Sequence, residues 1–143
     1  MPVVGAHDFG YNSSYIPCLG LYPDWRGCPA GLLTFGVQSD GGIKGCLSTP
    51  DSLVEGNVRE KSIVEIWNDP NSFSYNRRFK IEALGEYCKG CKFGESCMGG
   101  CTSKSTAITG KLHNDPWCFY RLEQEYLKKG KDPRILDDLI SDQ

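Results

Sequence analysis

The alternation of apolar and polar positions changes character several times along the chain. Residues 1–27 are rich in Gly, Pro, Tyr and Asn and sustain no period, so they read as irregular chain, with 1–17 as a linker. From Leu33 the pattern alternates. Leu33, Phe35 and Val37 are separated by Thr34, Gly36 and Gln38, the period-two signature of a strand with one buried face. "SDGG" supplies turn residues and Ile43–Cys46 returns, which predicts a β-hairpin. "STPDSLVEGN" reads as loop. Ser62 and Glu65 then have capping-box spacing around Ile63, Ile66 and Trp67, predicting a short helix that Pro70 of "NDP" stops. A second helix is expected over Ser72–Leu84, with Phe73, Arg77 and Lys80 on it and Gly85 ending it. Asp115 and Pro116 read as N-cap and first residue of a third, whose apolar stripe is Trp117, Tyr120 and Leu127 and which ends at Gly130. "DPRILDDLI" repeats the Asp-Pro start and predicts a last short helix within 131–143. The expected architecture is a small, loop-rich α+β domain with an N-terminal β-hairpin and several short helices.

Composition narrows the function classes. Hydrophobic residues make up 39% and charged ones 24% of 143 residues, enough for one modest core under a solvated surface. The formal net charge is −2 and the basic residues are scattered, which argues against a nucleic-acid partner. No stretch approaches the ~20 apolar residues that span a bilayer. The start, "MPVVGAHDFGYNSSY", lacks the basic and apolar regions of a signal peptide, so the expectation is a cytoplasmic chain whose thiols stay reduced and that has no membrane partner.

Eight cysteines change the picture: Cys18, Cys28, Cys46, Cys88, Cys91, Cys97, Cys101 and Cys118. Four of them fall in "CKGCKFGESCMGGC", a stretch too short and glycine-rich for regular structure. A disulfide framework is disfavoured by the missing export signal and by a cysteine density below that of secreted scaffolds. A dithiol oxidoreductase using Cys88 and Cys91 leaves six cysteines idle. Soft thiolates suit zinc or iron–sulfur clusters, and eight thiols divide into two four-cysteine sets. Spacing alone leaves two zincs and two clusters both open. Gly90, Gly94, Gly99 and Gly100 let the backbone fold closely round a metal centre, and Lys89, Lys92 and Lys104 could offset a cluster's negative charge or be plain solvated loop.

The whole pattern resembles the SPASM domain, the C-terminal auxiliary region of many radical S-adenosylmethionine enzymes. The resemblance rests on Cys28, Gly41 and Cys46, then Cys88-x₂-Cys91-x₅-Cys97-x₃-Cys101, then Cys118. "GNVREKSIVEIWND" and "TGKLHNDPWC" are similar to the segments that flank those cysteines in the family. It covers roughly residues 28–118, within a domain set at 18–130. The resemblance implies two [4Fe–4S] clusters with interleaved ligation: Cys28, Cys46, Cys101 and Cys18 for the first, and Cys88, Cys91, Cys97 and Cys118 for the second. Cys18 is the least secure of these ligands, with His7 and Asp24 as substitutes. The clusters are expected to serve electron transfer and substrate positioning for a peptide or protein substrate, and to cross-link the fold. Zinc in Cys₄ sites, giving a structural or interaction module, is the alternative.

One departure matters. The chain contains no Cys-x₃-Cys-x₂-Cys motif, since Cys101 is followed by "TSKS", so it is not expected to be catalytic alone. A radical S-adenosylmethionine core, in cis or in trans, is the implied partner. For the remaining residues the plain interpretation comes first: Trp67 and Trp117 as helix-borne core, Arg77 and Arg78 as a solvated helix face, His113 as an ordinary loop histidine. Trp25, close to Cys28 in sequence, is expected to shield a cluster from water.

Overall fold

The predicted hairpin forms, although its buried side is not the one that the alternation implied. In the computed structural model, which describes Ser13, Tyr15 and residues 26–134, Gly36–Val37 (β1) pairs antiparallel with Gly42–Lys44 (β2), and Val37 lies opposite Ile43. The "SDGG" turn closes with Gly41 N–H donating to Gln38 O at 2.9 Å, and Gly41 takes a φ of +94°. Leu33, Phe35 and Val37 are exposed, Leu33 at 83%, while all of β2 is buried. The reason is local. Leu33 N–H bonds to Pro29 O, and Gly31 N–H to Thr34 O, so 29–34 curl into a turn before β1 begins. Only two residues are left to be strand.

A third strand, Val54–Asn57 (β3), stands where the sequence reads as loop. It pairs antiparallel with β2, Gly42 opposite Asn57 and Ile43 opposite Gly56, with an irregularity between Ile43 and Lys44. Val54 is its one β-branched residue, so propensity does not mark it; pairing does. At Gly56 a Cβ would come within 3.1 Å of the Ile66 side chain, so that glycine admits the helix above.

That helix, Ile63–Asn68 (α1), matches its prediction. Ser62 Oγ accepts from Glu65 N–H, Glu65 Oε2 accepts from Ser62 N–H at 2.8 Å, and Asp69 caps the end ahead of Pro70. Ile43, Ile66 and Phe73 form the buried core, with Trp67 and Tyr75 packed against it. Trp67 is therefore core-associated, as expected.

The long helix expected over 72–84 is only Ser74–Arg77 (α2), followed by a 3₁₀ turn at Ile81–Ala83. Phe73 enters it in the left-handed region, and Arg78 and Lys80 have left helical geometry. Ser, Asn, Tyr and Phe are weak helix formers, so tertiary contacts decide. Phe79 turns away to pack on the His113 ring, with centroids 4.8 Å apart. Arg77 is not a solvated residue. Its Nε donates to Gly31 O at 2.7 Å and its Nη1 to Trp67 O at 2.6 Å, with the guanidinium 4.3 Å from the Trp67 ring centroid. Arg78, by contrast, is exposed and donates to Asn71 Oδ1.

Three further helices follow: Gly94–Cys97 (α3), Thr102–Thr109 (α4) and Phe119–Lys128 (α5). The first two lie in and after the stretch expected to be loop. The sequence hides α4, which is rich in Ser and Thr and has no apolar stripe. Inside it Thr106 and Thr109 bond back to Thr102 O and Ser105 O. Helix α5 starts at Phe119, three residues beyond the Asp-Pro signal, because Asp115 is engaged elsewhere and its Oδ1 accepts from Trp117 N–H in a turn. Trp117 consequently stands 56% exposed and is not core. The chain leaves α5 at Gly130 as expected, in positive φ, and the last predicted helix falls mostly outside the described residues.

The buried side of α5 holds a carboxyl. Glu123 is fully buried, its Oε1 accepts from Ser13 Oγ, and its Oε2 has no hydrogen-bond partner among the described residues. Burial raises its pKa above the usual glutamate value, and the Ser13 bond offsets this only in part. The folded chain thus favours the protonated form. That contribution is present below the ordinary carboxyl range and is lost as pH rises through the raised value. Glu123→Gln should therefore lessen the fall in stability between about pH 5 and about pH 8. Urea midpoints at the two pH values check this; parallel losses in both proteins would contradict it.

Candidate metal centre

Cys28, Cys46, Cys88, Cys91, Cys97, Cys101 and Cys118 are described, all as free thiols. Cys18 lies outside the described residues, as do His7, Asp24 and Trp25. Four of the thiols share one space. Cys88, Cys91, Cys97 and Cys118 line a single cavity of about 170 Å³, with Asp115 and Tyr120 also in its wall.

Local backbone geometry explains the convergence. Cys88 N–H bonds to Gly85 O and Cys91 N–H to Cys88 O, two tight turns that bring the first pair together. The single turn of α3 then raises Cys97 to the same cavity. Three consecutive residues, Met98, Gly99 and Gly100, take positive φ and reverse the chain, so Cys101 is not in the cavity wall and instead stands at the residue before α4. At Gly99 a Cβ would lie 2.4 Å from the His113 carbonyl carbon, which makes that residue sterically obligatory.

Cys118 arrives through "HNDPWC". His113 O accepts from Gly85 N–H, Asn114 Oδ1 from Tyr87 N–H at 2.9 Å, and Gly99 O from Asp115 N–H. All three residues are buried, and together they stitch the approach to Cys118 onto the cysteine loop. His113 is thus no ordinary loop residue. Its Nδ1 lies 2.7 Å from Met98 O and its Nε2 2.8 Å from Tyr75 O, so one ring spans the loop and α2.

The electrostatics tie the four sulfurs together. Burial pushes the Cys88 thiol up to about 12, and the neighbouring Cys118 and Cys97 sulfurs add to the rise. Burial likewise raises Cys118, with Cys91 contributing, while the main-chain N–H groups of Arg121 and Tyr120 hydrogen-bond to its sulfur and pull it back down. Those N–H groups belong to the first turn of α5 and have no partner within the helix. A bound cation would reverse the balance and deprotonate the thiols. Of the three candidate lysines, Lys104 places Nζ 2.9 Å from Asp115 Oδ2, Lys92 lies over the Phe93 and Tyr120 rings, and Lys89 is exposed.

The segments bearing Cys28, Cys46 and Cys101 also meet. A Cβ on Gly45 would lie 2.8 Å from Gly31 N, so the chains at 28–31 and 45–46 run in contact. Asn76 Nδ2 donates to Ala30 O at 2.8 Å and to Cys28 O at 3.4 Å. Ser103 Oγ bonds to Ser48 O at 2.8 Å, joining the start of α4 to the loop after Cys46. Lys44, buried, donates to Thr49 O, and Thr49 Oγ1 donates to Cys46 O, which pins that loop from the other side. Sequence reasoning did not single out Lys44, Asn76 or Asn114 and read Asp115 only as a helix cap; the "HNDPWC" motif alone pointed toward the last two.

Among the described residues no three His, Cys, Asp or Glu side chains converge tightly enough to hold one metal ion. Four thiols standing round a common cavity, with helix N–H donors aimed at one of them, fit a thiolate-ligated iron–sulfur cluster. Residues 28–92 match the SPASM family, an iron–sulfur cluster-binding domain, and the chain carries such a domain. It is 33% identical over 97 residues to the AdoMet-dependent heme synthase of Methanosarcina barkeri, a stretch covering 67% of this chain and 26% of that protein. With a PqqA peptide cyclase of Xanthomonas euvesicatoria pv. vesicatoria the identity is 32% over 106 residues, 71% of this chain and 26% of the cyclase. The chain thus spans about a quarter of the length of these two relatives. Among the described residues no helix is long and apolar enough to cross a membrane.

Proposed function

We propose that this chain is the auxiliary iron–sulfur domain of a radical S-adenosylmethionine enzyme that modifies a peptide or protein. The observation that carries the reading is the convergence of Cys88, Cys91, Cys97 and Cys118, from two separate segments, on one cavity. These four would hold one [4Fe–4S] cluster. Cys28, Cys46 and Cys101, whose segments meet and which do not line that cavity, would hold a second with Cys18. When bound, such clusters pass single electrons.

The protein's own residues do the rest. The α5 N–H groups stabilise negative charge on the Cys118 sulfur, and the edge-to-face pair of Phe93 and Tyr120 forms an aromatic wall beside the cavity. Catalysis belongs to a core domain in cis or in trans, since this chain has no Cys-x₃-Cys-x₂-Cys motif. A peptide substrate, positioned partly by this domain, is supported by the likeness to a PqqA peptide cyclase. The cytoplasm is the compartment this reading calls for, since thiolate ligands and labile clusters need reducing surroundings.

Anaerobic reconstitution with iron and sulfide is the test. About eight irons per chain with a brown visible spectrum are expected for two cubanes. A colourless protein that takes two zincs and refuses iron would overturn the reading in favour of a structural zinc module.

A further inference from the structure

Tyr75 has a hydroxyl with nowhere to go. The oxygen is buried and has no hydrogen-bond partner among the described residues, although buried tyrosine hydroxyls usually find one. Its position is fixed from three sides. Tyr75 packs against the Ile43–Ile66–Phe73 core, its carbonyl is held by His113 Nε2 at 2.8 Å, and the next residue, Asn76, is bonded to the Cys28–Ala30 backbone. The hydroxyl rests on Gly45, the residue before Cys46: a Cβ there would stand 2.2 Å from the phenol oxygen. Any residue but glycine would displace it. The same Gly45 Cβ position lies 2.8 Å from Gly31 N and 2.9 Å from the Ala30 carbonyl carbon, so the hydroxyl sits where the Cys28 and Cys46 segments run together.

A polar group fixed this firmly, left unpaired, and set beside two cysteines is poised for an acceptor that those cysteines hold. Building on the reading proposed above, we infer that the Tyr75 hydroxyl donates a hydrogen bond to a sulfur of the cluster ligated by Cys28, Cys46 and Cys101, and so raises that cluster's reduction potential. The physical basis is simple. Reduction adds one negative charge to the cluster, and a donor aimed at its sulfur stabilises the reduced form more than the oxidised one. No proton moves. The phenol stays neutral and keeps its hydrogen throughout the couple. The competing acceptor is Glu55, whose carboxylate also acts on Tyr75.

Tyr75→Phe removes the hydroxyl and keeps the ring, so the core is retained. The reconstituted full chain, wild type, Tyr75→Phe and Glu55→Gln, would be titrated by EPR-monitored potentiometry, with iron content and thermal midpoint recorded alongside. Tyr75→Phe should hold the same iron and shift one cluster couple negative by a factor of about ten in its reduction equilibrium, about 59 mV for one electron, leaving the other couple in place. Glu55→Gln should not reproduce that shift. Full iron with both couples unmoved in Tyr75→Phe would overturn the proposal, as would an equal shift from Glu55→Gln, which would assign the hydroxyl to the carboxylate. A wild-type chain that takes up no iron overturns the cluster reading itself, and is told apart by the iron assay before any potential is measured.

Discussion

Cys118→Ala is expected to halve the iron of the reconstituted chain, from about eight to about four per molecule. The argument starts from the cavity. Three of its cysteines sit on one short loop and can approach each other whether or not the rest of the chain is folded. Cys118 comes from beyond α4 and reaches the cavity only because the backbone at 113–115 is stitched to 85, 87 and 99. A cubane left with three thiolates has an open iron in a wall that also contains the Asp115 carboxylate. The cluster should be lost or degrade under buffer exchange. Because ligand binding to the native state adds directly to folding stability, the thermal midpoint should fall along with the iron. Cys101→Ala should also remove about four irons, but from the other cluster, so the spectra remaining in the two variants should differ. Iron and sulfide assays with EPR of each reduced variant check this. Full iron in Cys118→Ala, or identical residual spectra in the two variants, would show that the cysteines are not partitioned as proposed.

The sequence made the chemistry legible and left much of the backbone hidden, for physical reasons that differ from element to element. Ser62 and Glu65 form an interaction complete within four residues, so α1 could be read locally and is present. The hairpin turn was legible for the same reason. The strand β3 and the helix α4 carry no local signal: one depends on pairing with β2, and the other is built of Ser and Thr that bond to their own backbone. The helix expected at 72–84 failed where Phe79 found a better partner in His113, a contact across 34 positions that no window can see. At the candidate site the family resemblance grouped Cys88, Cys91, Cys97 and Cys118, and the fold sets those four round one cavity. The shell round them was not legible. Asp115 reads as a helix cap and Tyr75 as an ordinary helical tyrosine until the fold sets them beside the thiols.

That same Asp115 sets up the second large effect. Lys104→Met should cost about 3 kcal/mol of stability in the folded domain, well above a surface ion pair. The Asp115 side chain is completely buried, its Oδ2 lies 2.9 Å from Lys104 Nζ, and the Lys104 side chain is itself only 17% exposed. Removing the ammonium leaves a carboxylate in the cavity wall, next to the Cys88 and Cys118 sulfurs whose acidity it already depresses. In the cluster-loaded protein that wall would face further negative charge, so the loss should be larger with iron than without. Methionine keeps the length and apolar stem of the lysine, and the deficit is therefore electrostatic rather than a packing defect. Asp115→Asn in the same chain removes the stranded charge and should recover most of the loss, since replacing both members of a buried pair is far milder than replacing one. Urea unfolding of the two single variants and the double variant, run anaerobically with and without iron, measures the coupling. If the double variant is as unstable as the sum of the singles, Lys104 stabilises the fold by packing alone, and the charge balance of the cavity rests on other groups.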